Sequence, residues 1–158
     1  MKLKWLWLSG LVVALDQASK IAVDASMHLY QSIFIIPFFN FTYVRNTGAA
    51  FSFLSEAGGW QRWFFAILAS LISIVLVVWL SKLEKHETLM AASLSLILGG
   101  AVGNLIDRVA YGYVIDFLDV YYEAWHWPAF NIADSAISIG VFLMLLDSIG
   151  VGKAKNVD

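Results

Sequence analysis

Two aspartates stand in surroundings where an acid is costly. Asp116 interrupts the apolar run Val114-Ile115-Asp116-Phe117, and Asp134 follows Asn131 by one helical turn, with Ser135 and Ser138 extending the same polar face. A charged side chain inside hydrocarbon costs about 2.5 to 3.5 kcal/mol on insertion scales, so an acid in an apolar stretch is a functional candidate. If the segment around Asp116 folds back on the last helix, the two carboxylates meet near the bilayer surface. Like charges that close do not both ionise readily. The pair then shares a proton and leaves one acid and one base to work on a water. That equipment suits peptide hydrolysis without a metal or a covalent intermediate. On spacing alone it suits a proton relay or a cation site equally.

The other ionisable residues read more plainly. Asp16 and Lys20, four apart on one helical face, are spaced for a structural ion pair. Asp107 and Arg108 are expected to follow the third helix directly and to hold its end against the sheet or the outer loop. Asp147 lies near the cytoplasmic end of the last span, where it reaches water, and Asp119 stays a further candidate. There are no cysteines, which excludes disulfides, thiolate metal sites and a cysteine nucleophile. His28, His86 and His126 are scattered and read as loop residues. No pair of them has ligand spacing and no serine nucleophile motif is present, so neither a metal nor another cofactor is expected.

Lipid must be the solvent for the elements that position these residues. Of 158 residues, 60% are hydrophobic and 14% are charged, against about 25% charged in soluble domains; the mean hydropathy is +0.74. A formal net charge of −2 gives no basic field, so no nucleic-acid partner is expected. Apolar stretches at about 3–25, 63–80, 88–106 and 129–150 predict four transmembrane helices. The second has no ionisable residue and reaches roughly 27 Å, enough to span the hydrocarbon layer. Gly99, Gly100 and Gly103 put the third inside the bundle, since small residues let another helix approach closely. Lys2, Lys4 and Val23-Asp24-Ala25 imitate a cleaved secretory leader, but such a leader has no use for Asp16 and Lys20, so the segment is read as an uncleaved helix.

Lys2, Lys4, Lys82, Lys85, Lys153 and Lys155 fall on one side, against Lys20, Arg45, Arg62 and Arg108 on the other or its boundary, which places both termini and the 82–88 loop in the cytoplasm. The second outward connection is rich in tyrosine and tryptophan, as a surface in the headgroup layer requires. In the first, Phe39-Asn40-Phe41-Thr42-Tyr43-Val44-Arg45 alternates as a strand does, Asn46-Thr47-Gly48 supplies a turn, and Ala49 to Leu54 returns as a second strand. The fold class expected is therefore a mainly α membrane protein: four transmembrane helices with a small β-sheet, at about 33–54, on the outer (periplasmic or extracellular) face. Residues 1–158 form a single domain in this reading. A proton-coupled transporter using Asp16, Asp116 and Asp134 is the alternative, but inverted repeats and paired broken helices are lacking.

Five blocks occur in order along the chain: Leu15-Asp16-Gln17-Ala18-Ser19-Lys20, Arg45-Asn46-Thr47-Gly48-Ala49-Ala50-Phe51-Ser52, Gly99 to Arg108, Gly112-Tyr113-Val114-Ile115-Asp116-Phe117, and Phe130-Asn131-Ile132-Ala133-Asp134-Ser135. In this order and at these separations they closely resemble the bacterial lipoprotein signal peptidase family, also called signal peptidase II. The resemblance covers essentially the whole chain, with Ser19 standing where many members carry threonine.

It implies an aspartyl endopeptidase of the bacterial cytoplasmic (inner) membrane, its active site at the outer face, that removes the signal peptides of prolipoproteins by cutting just before a diacylglyceryl-modified cysteine. Carried over, the catalytic pair is Asp116 and Asp134. Asn46, Gly48, Asn104, Asp107, Arg108 and Asn131 match positions that shape or support the site, and Asp16 and Lys20 match the acid and base of the first helix. Asn104 and Asn131 are candidates to orient the carboxylates; Arg108 meets either a substrate carbonyl or Asp107. The partners implied are lipid-modified prolipoproteins and membrane lipids, and the inhibitor implied is globomycin, seated between the aspartates. Acyl chains that stay in the bilayer supply much of the binding, at about 0.8 kcal/mol per buried CH₂.

Overall fold

The structure, a computed structural model, describes residues 2–48 and 58–150. A 3₁₀ turn at Lys2–Trp5 leads into α1 (Leu6–Ser26), followed by β1 (Ser32–Ile36), β2 (Phe39–Asn46), α2 (Trp60–Lys82), α3 (Thr88–Ala110), β3 (Val114–Tyr122), β4 (Trp125–His126) and α4 (Ile132–Ser148). Three helical segments, Leu3–Ser26, Trp60–Lys82 and Thr88–Ala110, are long and apolar enough to cross a membrane. The fourth expected span is shorter than its apolar stretch: α4 has 17 residues, roughly 25 Å of helix. Its start is fixed at Asn131, because Phe130 is still extended and exchanges backbone hydrogen bonds with Leu118.

α3 is the central helix. It buries residues along its whole length, and its serines and glycines make that possible. Ser93 donates to the carbonyl of Gly140 at 2.6 Å and Ser9 donates to that of Ser95 at 2.8 Å, tying α3 to α4 and to α1. A Cβ on Gly100 would collide with the carbonyl of Ala133 and stand 2.7 Å from Ile137, and one on Gly103 would stand 2.6 Å from the Asp16 carboxylate. These contacts exist only because the side chain is absent. α2 is the opposite case. Trp63, Phe64, Ile67, Leu71, Ile74, Val75 and Val78 are all exposed, which suits a face against lipid and no other solvent.

The sequence reading ends α3 at residue 106, whereas the helix runs on to Ala110, so Asp107 and Arg108 lie in its last turn. Arg62 of α2 holds that end, donating to the carbonyls of Arg108 and Val109 at 2.7 Å each. A guanidinium there satisfies orphan carbonyls and complements the helix dipole.

The sheet is antiparallel with strand order β1-β2-β3-β4. β2 forms where the alternating residues predict it, but its partners are β1 and β3; the return strand expected at 49–54 lies outside the described residues. An irregularity between Phe41 and Val44 bends β2, as bulges do. Beyond it Val44 stands opposite Asp116 and Asn46 opposite Val114. β3 is buried on both faces at its start. Ile115 and Phe117 pack with Val23, Met27 and Tyr43 beneath the sheet, which leaves Val114 and Asp116 on the other face.

Gly100→Ala is expected to wedge α4 from α3, lowering stability by roughly 1–3 kcal/mol as overpacking does and displacing the start of α4. Gly10→Ala, whose Cβ meets nothing within 4 Å, is expected to be neutral or slightly stabilising. Thermal unfolding of the two purified variants checks the contrast.

Candidate active site

The antiparallel contact between Leu118 and Phe130 decides the site, because the residue after Phe130 begins α4 beside the strand that carries Asp116. Asn131 is the N-cap: its side chain accepts from the backbone N–H of Asp134 at 2.9 Å, while the Asp134 carboxylate accepts from the backbone N–H of Asn131 at 3.3 Å. This capping box fixes the Asp134 side chain at the helix entrance. The same Asn131 donates its amide to Asp116 Oδ1 at 2.7 Å and to the carbonyl of Ile115 at 3.2 Å. One fully buried side chain thus touches both aspartates.

Each carboxylate has a second amide donor. Asn46 of β2 donates to Asp116 Oδ2 at 3.1 Å, and Asn104 of α3 donates to Asp134 Oδ1 at 2.8 Å. The side-chain oxygen of Asn46 (Oδ1) accepts in turn from the backbone N–H of Gly48 at 2.9 Å. Asp116 is 3% exposed. Burial first, and then the charge of Asp134, push its carboxyl up to about 7, against the pull of the Asn46 and Asn131 amides and of the Lys20 charge.

Behind the aspartates lies a buried charge cluster. The Lys20 ammonium, on a residue 1% exposed, contacts Asp16 at 2.8 Å and Asp107 at 2.9 Å and donates to Asn104 Oδ1 at 3.0 Å. Asp16 accepts from the backbone N–H of Ala133, in the first turn of α4, at 2.9 Å. Asp107 accepts from the backbone N–H of Ile115 in β3 at 3.2 Å. The expected Asp16–Lys20 pair is present, then, but as part of a larger object. Gln17, which the sequence reading leaves without a role, donates to Asp107 Oδ1 at 2.8 Å and to the carbonyl of Gly103 at 3.2 Å. Its place one residue after Asp16, among apolar neighbours, was the available signal.

Asp116 and Asp134 open on one cavity of about 590 Å³, lined also by Asn46, Asn104, Arg108 and the Trp127–Phe130 segment. Arg108 does not pair with Asp107. Its guanidinium donates to the carbonyls of Gly48 at 3.0 Å and Asn104 at 3.2 Å and lies over the Phe65 ring, and its buried Nε has no hydrogen-bond partner among the described residues. The ten residues that match the family motifs belong to this connected assembly, whereas Asp119, the further candidate, lies apart from it, bonded to Thr42 and His126. The reading of His126 as a loop residue is corrected: it is part of β4 and meets Asp119 at 2.8 Å. Three donors fixed on two carboxylates in an apolar-walled cavity, with a cation beside them, are equipment for activating a water against a polar bond.

Comparison with known proteins points the same way. Residues 8–150 match the family described as Signal peptidase (SPase) II. A lipoprotein signal peptidase of Alteromonas mediterranea is 54% identical over 154 residues, covering 98% of this chain and 85% of the relative, and one of Pseudomonas fluorescens is 53% identical over 148 residues, covering 92% and 87%. Two solved structures, each of a bacterial membrane enzyme, superpose with TM-scores of 0.86 and 0.81 at 35% and 36% identity, covering 98% and 93% of this chain and 93% of each structure.

The raised Asp116 value carries a consequence for stability. A carboxyl that holds its proton more tightly when folded favours the folded state fully below its unfolded value, about 4, and that contribution is lost as pH rises through about 7. Asp116→Asn removes the ionisation and is expected to raise the melting temperature over wild type more at about pH 8 than at about pH 5, by a stability difference on the order of 3 kcal/mol at most. Melting curves of both proteins across that range check it.

Proposed function

The chain belongs to the signal peptidase II family, and we propose from this premise that it removes signal peptides from prolipoproteins by an aspartic mechanism in which Asp116 and Asp134 share one proton. The observation that carries the proposal is the single buried Asn131 bonded to both aspartates at the mouth of one cavity. In the reaction the ionised carboxylate takes a proton from the attacking water as its oxygen bonds to the scissile carbonyl carbon, while the protonated carboxyl hydrogen-bonds the carbonyl oxygen and hands over its proton. The tetrahedral diol then collapses: a proton passes to the amide nitrogen, the C–N bond breaks, and the pair returns to one shared proton. Asn46, Asn104 and Asn131 keep the carboxylates in place through these transfers. Arg108 lines the cavity and already bonds backbone carbonyls rather than Asp107, which supports a contact with a substrate carbonyl.

The cleavage point in this reading is the bond just before a diacylglyceryl-modified cysteine, whose acyl chains stay in lipid while the peptide enters the cavity. Globomycin takes the same place between the aspartates. The lysine distribution supports termini in the cytoplasm and a sheet on the outer face of the bacterial inner membrane. With the apolar outer face of α4, including Ile139, Phe142 and Leu145, it supports a fourth crossing, at 17 residues the short end of what a membrane accepts. The transporter alternative finds no support in relatives that are peptidases.

Groups that act as a unit are non-additive. Asp116→Asn, Asp134→Asn and the double variant are each expected to lose roughly 10²- to 10⁴-fold in turnover, the double scarcely more than either single, while Asp147→Asn keeps most activity. Cleavage of a purified lipid-modified prolipoprotein checks this; ordinary turnover by Asp134→Asn overturns the mechanism.

A further inference from the structure

A second polar array runs across the sheet and takes no part in the chemistry above. Ser32 of β1 and Thr42 of β2 share a hydrogen bond of 2.9 Å, Thr42 donates to Asp119 Oδ2 of β3 at 2.8 Å, and His126 Nδ1 of β4 meets Asp119 Oδ1 at 2.8 Å. Asp119 is 4% exposed, whereas the His126 side chain is half exposed, with the Tyr121 ring stacked on it at 5.3 Å. A buried carboxylate without a catalytic task calls for a reason. The reason lies in β4, which is only two residues long and reaches β3 through a turn containing Glu123 at φ 54°. So short a strand has little hold of its own. Yet the four residues after it, Trp127, Pro128, Ala129 and Phe130, form one wall of the cavity before Asn131 starts α4.

We propose that the Asp119–His126 pair is a latch that fixes this wall over the aspartates, and so governs capture of the lipid-modified substrate rather than the chemical step. The wall is held at both ends. At one end Phe130 is bound to Leu118 and Asn131 is locked to Asp116. At the other, the Trp127 N–H bonds the Val120 carbonyl at 2.8 Å, and the side-chain latch closes one residue earlier. Releasing the latch loosens the Trp127 end, which keeps its backbone bond, while the Asn131 end stays in place. Asp119 and His126 are thus positioning residues: neither lines the cavity. The proposal rests on the cavity being the peptidase site.

Steady-state cleavage of a lipid-modified prolipoprotein by the full-length protein in micelles tests it. His126→Ala is expected to raise KM about five- to tenfold, the net worth of one part-exposed hydrogen bond, with kcat within about twofold of wild type. His126→Phe keeps the ring stack without the bond and is expected to match the alanine variant. His126→Asn, whose amide nitrogen stands where the histidine Nδ1 does, is expected to restore KM. An unchanged KM in His126→Ala, a fall in kcat alone, or an asparagine variant no better than alanine overturns the latch. Asp119→Asn is read by the same two constants, so the test survives an alanine variant that fails to fold. If the cavity were not the peptidase site, Asp116→Asn would keep its turnover; if only the latch is wrong, Asp116→Asn is inactive and His126→Ala has wild-type constants.

Discussion

Lys20 carries its ammonium to a point sealed from water, where two carboxylates from different helices receive it. Removing an ion from water costs several kcal/mol, repaid only when geometry and extra hydrogen bonds satisfy every charge. Here the extra bonds come from the elements that must be positioned. The Asp16 oxygen left over by Lys20 takes the Ala133 N–H at the entrance of α4; on Asp107 the Ile115 N–H of β3 joins Lys20 on one oxygen and Gln17 donates to the other. Satisfying the charges and placing the two aspartate-bearing elements are therefore one event. Break the cluster and a buried charge is left alone, which costs about 3–5 kcal/mol, and the strand and the helix lose their common anchor.

From that anchor the rest follows by short steps. Asp16 sits at the positive end of α4, where a carboxylate is favoured by the dipole, and the glycine at 103 gives it room. Asn104, held by Lys20, turns its amide to Asp134; Asn131, held by Asn104, turns its own to Asp116. The outside of the bundle carries no comparable constraint. α2 presents aromatic and branched residues to lipid and touches the site through Phe65 and Arg62, against Arg108 and the end of α3.

The motif blocks made the polar residues legible because acids, amides and glycines in apolar stretches are costly unless they meet one another, as these do. Asp116, Asp134, Asn104, Asn131 and Lys20 were all visible as residues out of place. Their geometry was less so. Val114 to Tyr122 is a run of β-branched, aliphatic and aromatic residues with two acids, which is a strand pattern; read only as an apolar, aromatic connection at the outer boundary, it does not reveal the strand that bears Asp116. The end of α3 was set early because Asp107 and Arg108 looked too polar to continue a span, when burial against Lys20 and a cap from Arg62 satisfy them. Asp119 and His126 lie seven residues apart across a hairpin, and no spacing rule for helices or simple turns joins them.

The central claim is that the two carboxylates hold a single proton between them. Infrared difference spectroscopy of the purified protein against Asp116→Asn reads it directly. The account predicts a carboxylic acid C=O band in the wild type that is absent from the variant and fades as pH rises through about 7. A difference spectrum with no such band at mildly acid pH, or one whose band persists unchanged well above neutrality, contradicts it.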